Sequence, residues 1–79
     1  MIQKTDTPVL VIFGLGVLSL EYAGREYKIE KLGLHHTYRF GRTLYHVFSV
    51  TGGGLFFRLV LNTDNLLWRL TEVSDGESN

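Results

Sequence analysis

The stretch from Thr43 to Val73 constrains this chain more than any other. It alternates apolar-rich runs with turn formers. Thr43 to Thr51 is followed by Gly52, Gly53 and Gly54, then Leu55 to Leu61, then Asn62, Thr63, Asp64 and Asn65, then Leu66 to Val73. Short runs rich in Val, Phe, Tyr and Leu, punctuated by Gly, Asn and Asp, read as strands joined by tight turns. No longer window keeps the apolar spacing of a core helix.

The upstream half extends the pattern. Val9 to Phe13 is continuously apolar, as a strand covered on both faces would be. Gly14, Leu15 and Gly16 allow a turn or bulge, and Val17 to Tyr22 alternates. Ala23 and Gly24 form a short turn, glycine tolerating a positive φ. Arg25 to Leu32 alternates again, with Tyr27 and Ile29 facing in and Glu26, Lys28 and Glu30 facing out. Leu34 to Arg42 is the least periodic stretch and reads as a long loop with room for a helical turn, although Tyr38 and Phe40 would equally extend a strand. The expectation is an all-β fold: a curled antiparallel sheet or small SH3-like barrel of about five to six short strands. It spans residues 8–73 as a single domain, with flexible termini at 1–7 and 74–79.

Size limits what can hold such a sheet together. A chain of 79 residues without cysteine has no disulfide and no thiolate zinc site to help it. Stability must come from the apolar core, which a 44% hydrophobic content supports, or from a partner chain. Large apolar residues fall on both faces of Val9–Phe13, at Phe56 with Phe57, and at Leu66 with Leu67. Either a barrel hides them or a second chain does, so a symmetric homodimer is one expectation. The apolar run from Pro8 to Leu20 is shorter than the ~20 residues a membrane helix needs. Lys4 and Asp6 cancel ahead of it, and Glu21 and Tyr22 stand where a signal peptide would want small residues. The run reads as a buried strand pair, and the chain as a cytoplasmic protein with no membrane partner.

Net charge is zero but unevenly spread. Seven basic side chains face four acidic ones between Glu21 and Arg69, and Glu72, Asp75 and Glu77 follow in the tail. A mildly basic body suits an anionic partner. The last hairpin sharpens this. If Asn62 to Asn65 is its loop, Leu61 faces Leu66, Leu59 faces Trp68 and Phe57 faces Leu70. Arg58 would then oppose Arg69, a like-charge pair that an anion, or a carboxylate such as Glu72, would offset. Tyr38, Arg39, Phe40, Arg42, Tyr45 and His46 interleave aromatic and basic groups, as single-stranded nucleic-acid sites do. A small core rimmed with arginines would give the same interleaving.

Catalytic and cofactor chemistry finds little support. His35 and His36 are adjacent, so on a strand they point to opposite faces, and His46 lies among apolar residues. The triple glycine is followed by a strand and by no Lys-Ser or Lys-Thr pair, which leaves it a turn rather than a phosphate cradle. Ser19, Ser49, Ser74 and Ser78 lie outside any nucleophile elbow. The chain is expected to be a non-catalytic interaction module without cofactor. Its candidate binding residues are His36, Tyr38, Arg39 and Arg42, with Arg58 and Arg69. The expected partner is a protein or a second copy, with single-stranded nucleic acid or another anion as the alternative.

Gly24-Arg25-Glu26-Tyr27-Lys28-Ile29, then Tyr45-His46-Val47-Phe48-Ser49-Val50, then Leu66, Trp68 and Leu70, resemble a small bacterial all-β family of unknown function over about residues 17–73. That family combines a Gly-Arg-x-Tyr strand with a closing Leu-x-Trp-x-Leu strand. Its middle loop often holds a tryptophan, where this chain has His35, His36 and Tyr38. Members stand beside, or are fused to, translesion-polymerase-like proteins, which implies work near nucleic acid. The resemblance carries over no site residue.

Overall fold

A computed structural model of the chain describes residues 2–14 and 16–75. Among them run seven strands: β1 (Ile2–Gly14), β2 (Val17–Tyr22), β3 (Arg25–Lys28), β4 (Lys31–Phe40), β5 (Thr43–Gly52), β6 (Leu55–Asn62) and β7 (Leu67–Ser74). They form one sheet in the order β3-β2-β1-β7-β6-β5-β4, with every neighbouring pair antiparallel. The all-β antiparallel expectation holds, with more strands than expected and a sheet whose ladder does not close.

The sheet curls because two stretches of chain turn its corners. The first half of β1 pairs with β7, from Ile2↔Ser74 to Val9↔Trp68, and the second half pairs with β2, from Leu10↔Glu21 to Gly14↔Val17. β3 and β4 are separated only by Ile29 and Glu30. The Ile29 amide donates to the Leu18 carbonyl at 2.8 Å and the Glu30 amide to the Thr51 carbonyl at 2.7 Å. The two ends of the strand order therefore meet at this link without pairing with each other. Gly52 permits the approach: a Cβ there would overlap the Lys28 carbonyl oxygen and crowd its carbonyl carbon.

Alternation then fills the inside. Leu20, Val50, Phe57, Leu59 and Leu70 are buried together, with Val9, Val11, Tyr27, Phe48 and Trp68 packed around them. The Tyr27 and Phe57 rings lie 5.1 Å apart. Burying each such side chain contributes about 1.5–3 kcal/mol, and in a cysteine-free chain this cluster supplies most of the stability.

Several expectations need correction. Residues 2–7 are not a loose end. Ile2, Gln3 and Lys4 pair with Ser74, Val73 and Glu72, and half-buried Thr5 and Thr7 alternate with exposed neighbours. A polar run makes a strand when a ladder partner satisfies its backbone and one face stays wet. At the other end, Ser74 belongs to β7, and the expected flexible tail past residue 75 lies outside the described residues. The expected long strand from Arg25 to Leu32 is broken at Ile29–Glu30, where the chain changes ladder partner from β2 to β5. Leu34 to Arg42 is not a loop: residues up to Phe40 belong to β4, and only Gly41 and Arg42 turn.

The last hairpin has a shifted register. Leu61 faces Trp68, Leu59 faces Leu70 and Phe57 faces Val73, with a bulge between Arg58 and Leu59. Arg58 opposes Glu72, not Arg69. The turn is Thr63 to Leu66 instead of Asn62 to Asn65, closed by the Leu66 amide donating to the Asn62 carbonyl at 2.7 Å. This places Leu66 at φ 60, with its side chain exposed. The left-handed region costs a branched residue about 1–2 kcal/mol. Leu66→Gly is therefore expected to raise stability by about 0.5–1 kcal/mol after glycine's greater unfolded-state entropy is subtracted. Urea unfolding followed by the fluorescence of Trp68, the one tryptophan, measures it; a loss of stability would contradict this turn geometry.

Candidate functional site

β4 differs from every other strand in that all ten of its residues are exposed. It ends the strand order, so among the described residues only β5 pairs with it and no strand lies beside its outer row of amides and carbonyls. Leu34 and Phe40 are each 76% exposed, with Leu32 and Tyr38 also in solvent. Edge strands are ordinarily blunted by shortness, charge or bulges. The opposite edge obeys this rule: β3 has four residues, Arg25–Lys28, three of them charged. β4 carries a bulge between Leu32 and His35, where Gly33 lies close to the Ser49 carbonyl. Beyond the bulge, His35 to Phe40 runs in regular register against Phe48 to Thr43.

Aromatic groups stiffen this hairpin on both faces. On the face shared with the core, the His35 Nε2 and His46 Nδ1 atoms lie 2.8 Å apart in a hydrogen bond, with the two rings parallel within 1°. Phe48 stacks on His35 at 4.5 Å, and Trp68 tilts against Phe48 at 5.6 Å. On the other face Tyr38 stacks on Tyr45 at 4.9 Å. Cross-strand aromatic pairs contribute up to about 1 kcal/mol each. They hold an otherwise uncovered strand in extended form.

The six residues expected to bind are only partly brought together. His36 and Tyr38 share the outer face of β4, Arg39 points to the opposite face, and Arg42 sits in the following turn. Arg69 shares a cross-strand row with His36 through Val60 and Val47, three strands away, or roughly 14 Å at sheet spacing. Arg58 and Arg69 are both engaged by carboxylates. The Arg58 Nη1 donates to the Glu72 Oε2 at 2.7 Å. The Arg69 Nε donates to the Asp6 carboxylate, and its Nη2 donates to the Asp6 carbonyl at 2.9 Å. The opposed arginine pair that motivated an anion site on β6 and β7 does not form.

A signal the sequence reading passed over lies beside this. From Lys31 to Thr63 there is no Asp or Glu, while Lys31, Arg39, Arg42 and Arg58 are all within that span. Among the described residues, Lys31, Arg39 and Arg42 join no ion pair. β4 and its turn thus carry uncompensated positive charge on an apolar and aromatic ribbon.

Two of the concavities among the described residues border this region. An open cleft of about 630 Å³ lies over the outer face, lined by Pro8, Leu10, Tyr22, Tyr45, Leu67 and Arg69 among others. An apolar cavity of about 190 Å³ lies between Val11, Leu18, Ile29, Leu32, Phe48 and Trp68, at the base of β4. Among the described residues no three His, Asp or Glu side chains are grouped to hold a metal ion, and no helix is long and apolar enough to cross a membrane. No protein-family model, curated protein or solved structure matches the chain.

Proposed function

We propose that this chain is a non-catalytic, cytoplasmic interaction module that joins another polypeptide by strand addition at β4. The reading treats the curled sheet as an opened form of a small SH3-like barrel, with β4 as the strand left uncovered. The observation that carries it is the exposure of all ten β4 residues at an edge of the sheet. Strand addition satisfies such an edge with main-chain hydrogen bonds, and side-chain contacts supply selectivity. The incoming strand belongs to a second copy or to a different protein.

A test follows from the exposure of Leu34 and Phe40. Isotope-labelled protein titrated with a neutral strand-forming peptide of alternating valine and threonine is expected to show chemical-shift changes confined to β4 and its near neighbours. Leu34→Lys with Phe40→Lys should remove those changes while altering stability by no more than about 0.5 kcal/mol per site. A peptide that leaves β4 unmoved, in a protein that also sediments as a monomer, would refute the reading.

Binding of single-stranded nucleic acid is a second reading, favoured by the acid-free stretch with its stacked Tyr38 and Tyr45. It draws on Arg39 and Arg42, because carboxylates already engage Arg58 and Arg69. It requires salt-sensitive affinity for an oligonucleotide that Arg39→Ala weakens.

A further inference from the structure

We propose that the β4 edge selects an acidic extended segment of a different protein rather than a second copy of this chain. The inference rests on strand addition at β4 and adds the chemistry of the incoming strand. A strand laid beside β4 places its side chains about 4.5–5.5 Å from those opposite, where opposite charges attract and like charges repel. β4 offers that strand Lys31 near one end and Arg39 near the other, with Arg42 in the adjoining turn and no carboxylate between Lys31 and Thr63. Lys31 opposes Thr51 and Arg39 opposes Leu44 across the bulge, so the two cations project from opposite faces. Carboxylates on either side of the incoming strand therefore find a partner.

The same charges argue against a symmetric dimer. Antiparallel pairing of two β4 strands along their length gathers a Lys31 and an Arg39 at each end of the joined ribbon, one on each face, and neither strand supplies an acid to offset them. Among the described residues Lys31, Arg39 and Arg42 join no ion pair, so their charge is available to a partner. The apolar part of the edge, Leu32, Leu34 and Phe40, calls for branched or aromatic side chains between the acidic ones. A free backbone edge is matched by a peptide's alternating donors and acceptors, which a nucleic acid lacks.

Three blocked octapeptides test this against the full chain: valine alternating with glutamate, with threonine, or with lysine. The glutamate peptide is expected to shift β4 resonances and to bind at least about tenfold more tightly than the threonine peptide. Added salt should narrow that gap, and the lysine peptide should not bind. Lys31→Glu with Arg39→Glu, both at exposed positions, should reverse the order of the two charged peptides. Equal affinity for the glutamate and threonine peptides would overturn this inference and leave strand addition standing. No response at β4 to any peptide, from a monomeric protein, would remove both. A β4-mediated dimer that the glutamate peptide cannot dissociate would overturn the choice of partner. So would a thymidine oligonucleotide that displaces that peptide and binds β4 more tightly.

Discussion

Gly52→Ala is expected to destabilise the protein by about 3 kcal/mol or more, a large part of the roughly 4–12 kcal/mol that holds a domain of this length. The cause is steric. A methyl group at Gly52 would occupy the space of the Lys28 carbonyl oxygen, and backbone cannot step aside as a flexible side chain can. Relief would require pulling β5 away from the Ile29–Glu30 link, breaking the hydrogen bond that the Glu30 amide donates to the Thr51 carbonyl. Gly14→Ala is the control, because a Cβ there meets nothing within 4 Å. Its effect should stay within about 1 kcal/mol. Urea denaturation of both variants, read by Trp68 fluorescence and far-ultraviolet dichroism, separates them. A Gly52→Ala protein as stable as the parent would mean that the two ends of the sheet do not meet at this link.

Phe57→Ala should cost about 3–5 kcal/mol. Phe57 is 2% exposed, lies at the centre of the buried cluster and meets the Tyr27 ring. Its neighbour Phe56 points to the other face at 50% exposure, and Phe56→Ala should cost about 1 kcal/mol or less. The contrast tests the face assignment of β6 directly. Similar losses at both positions would show that the outer face is covered in solution, and a larger loss at Phe56 would mean that the strand presents the opposite face to the core.

The elements legible in the sequence were those with one wet face and one dry face. β2, the Ala23–Gly24 turn, the start of β5 and the glycine hairpin all follow from period-two alternation and turn chemistry. β4 was illegible for the complementary reason. A strand exposed on both faces has no burial pattern to impose, so its mixture of Leu, His, Tyr, Arg and Phe resembles a loop. Residues 2–7 were missed because their place depends on a ladder partner at the far end of the chain. The register of the last hairpin turned on side-chain details of its loop. Asn62 accepts from the Asp64 amide at 2.8 Å and Asn65 from the Leu67 amide at 3.0 Å. These bonds move the turn one residue along, and the bulge between Arg58 and Leu59 then sets Arg58 opposite Glu72. Of the candidate site, His36, Tyr38, Arg39 and Arg42 were found as residues but assigned to a loop, while Arg58 looked free because the hairpin register was wrong and Arg69 because Asp6 was placed in a loose end.

The pairing of β1 with β7 also has a consequence in time. Ile2 meets Ser74, so the central seam of the sheet joins segments separated by almost the whole described chain. During synthesis the β1–β2–β3 meander leaves the ribosome well before β7 exists, and must wait with one side of β1 unmatched. Topologies dominated by such distant pairings fold slowly, in roughly milliseconds to seconds. The nascent chain's vulnerable interval therefore lasts until β7 emerges, and a ribosome stalled before β7 would leave an aggregation-prone fragment.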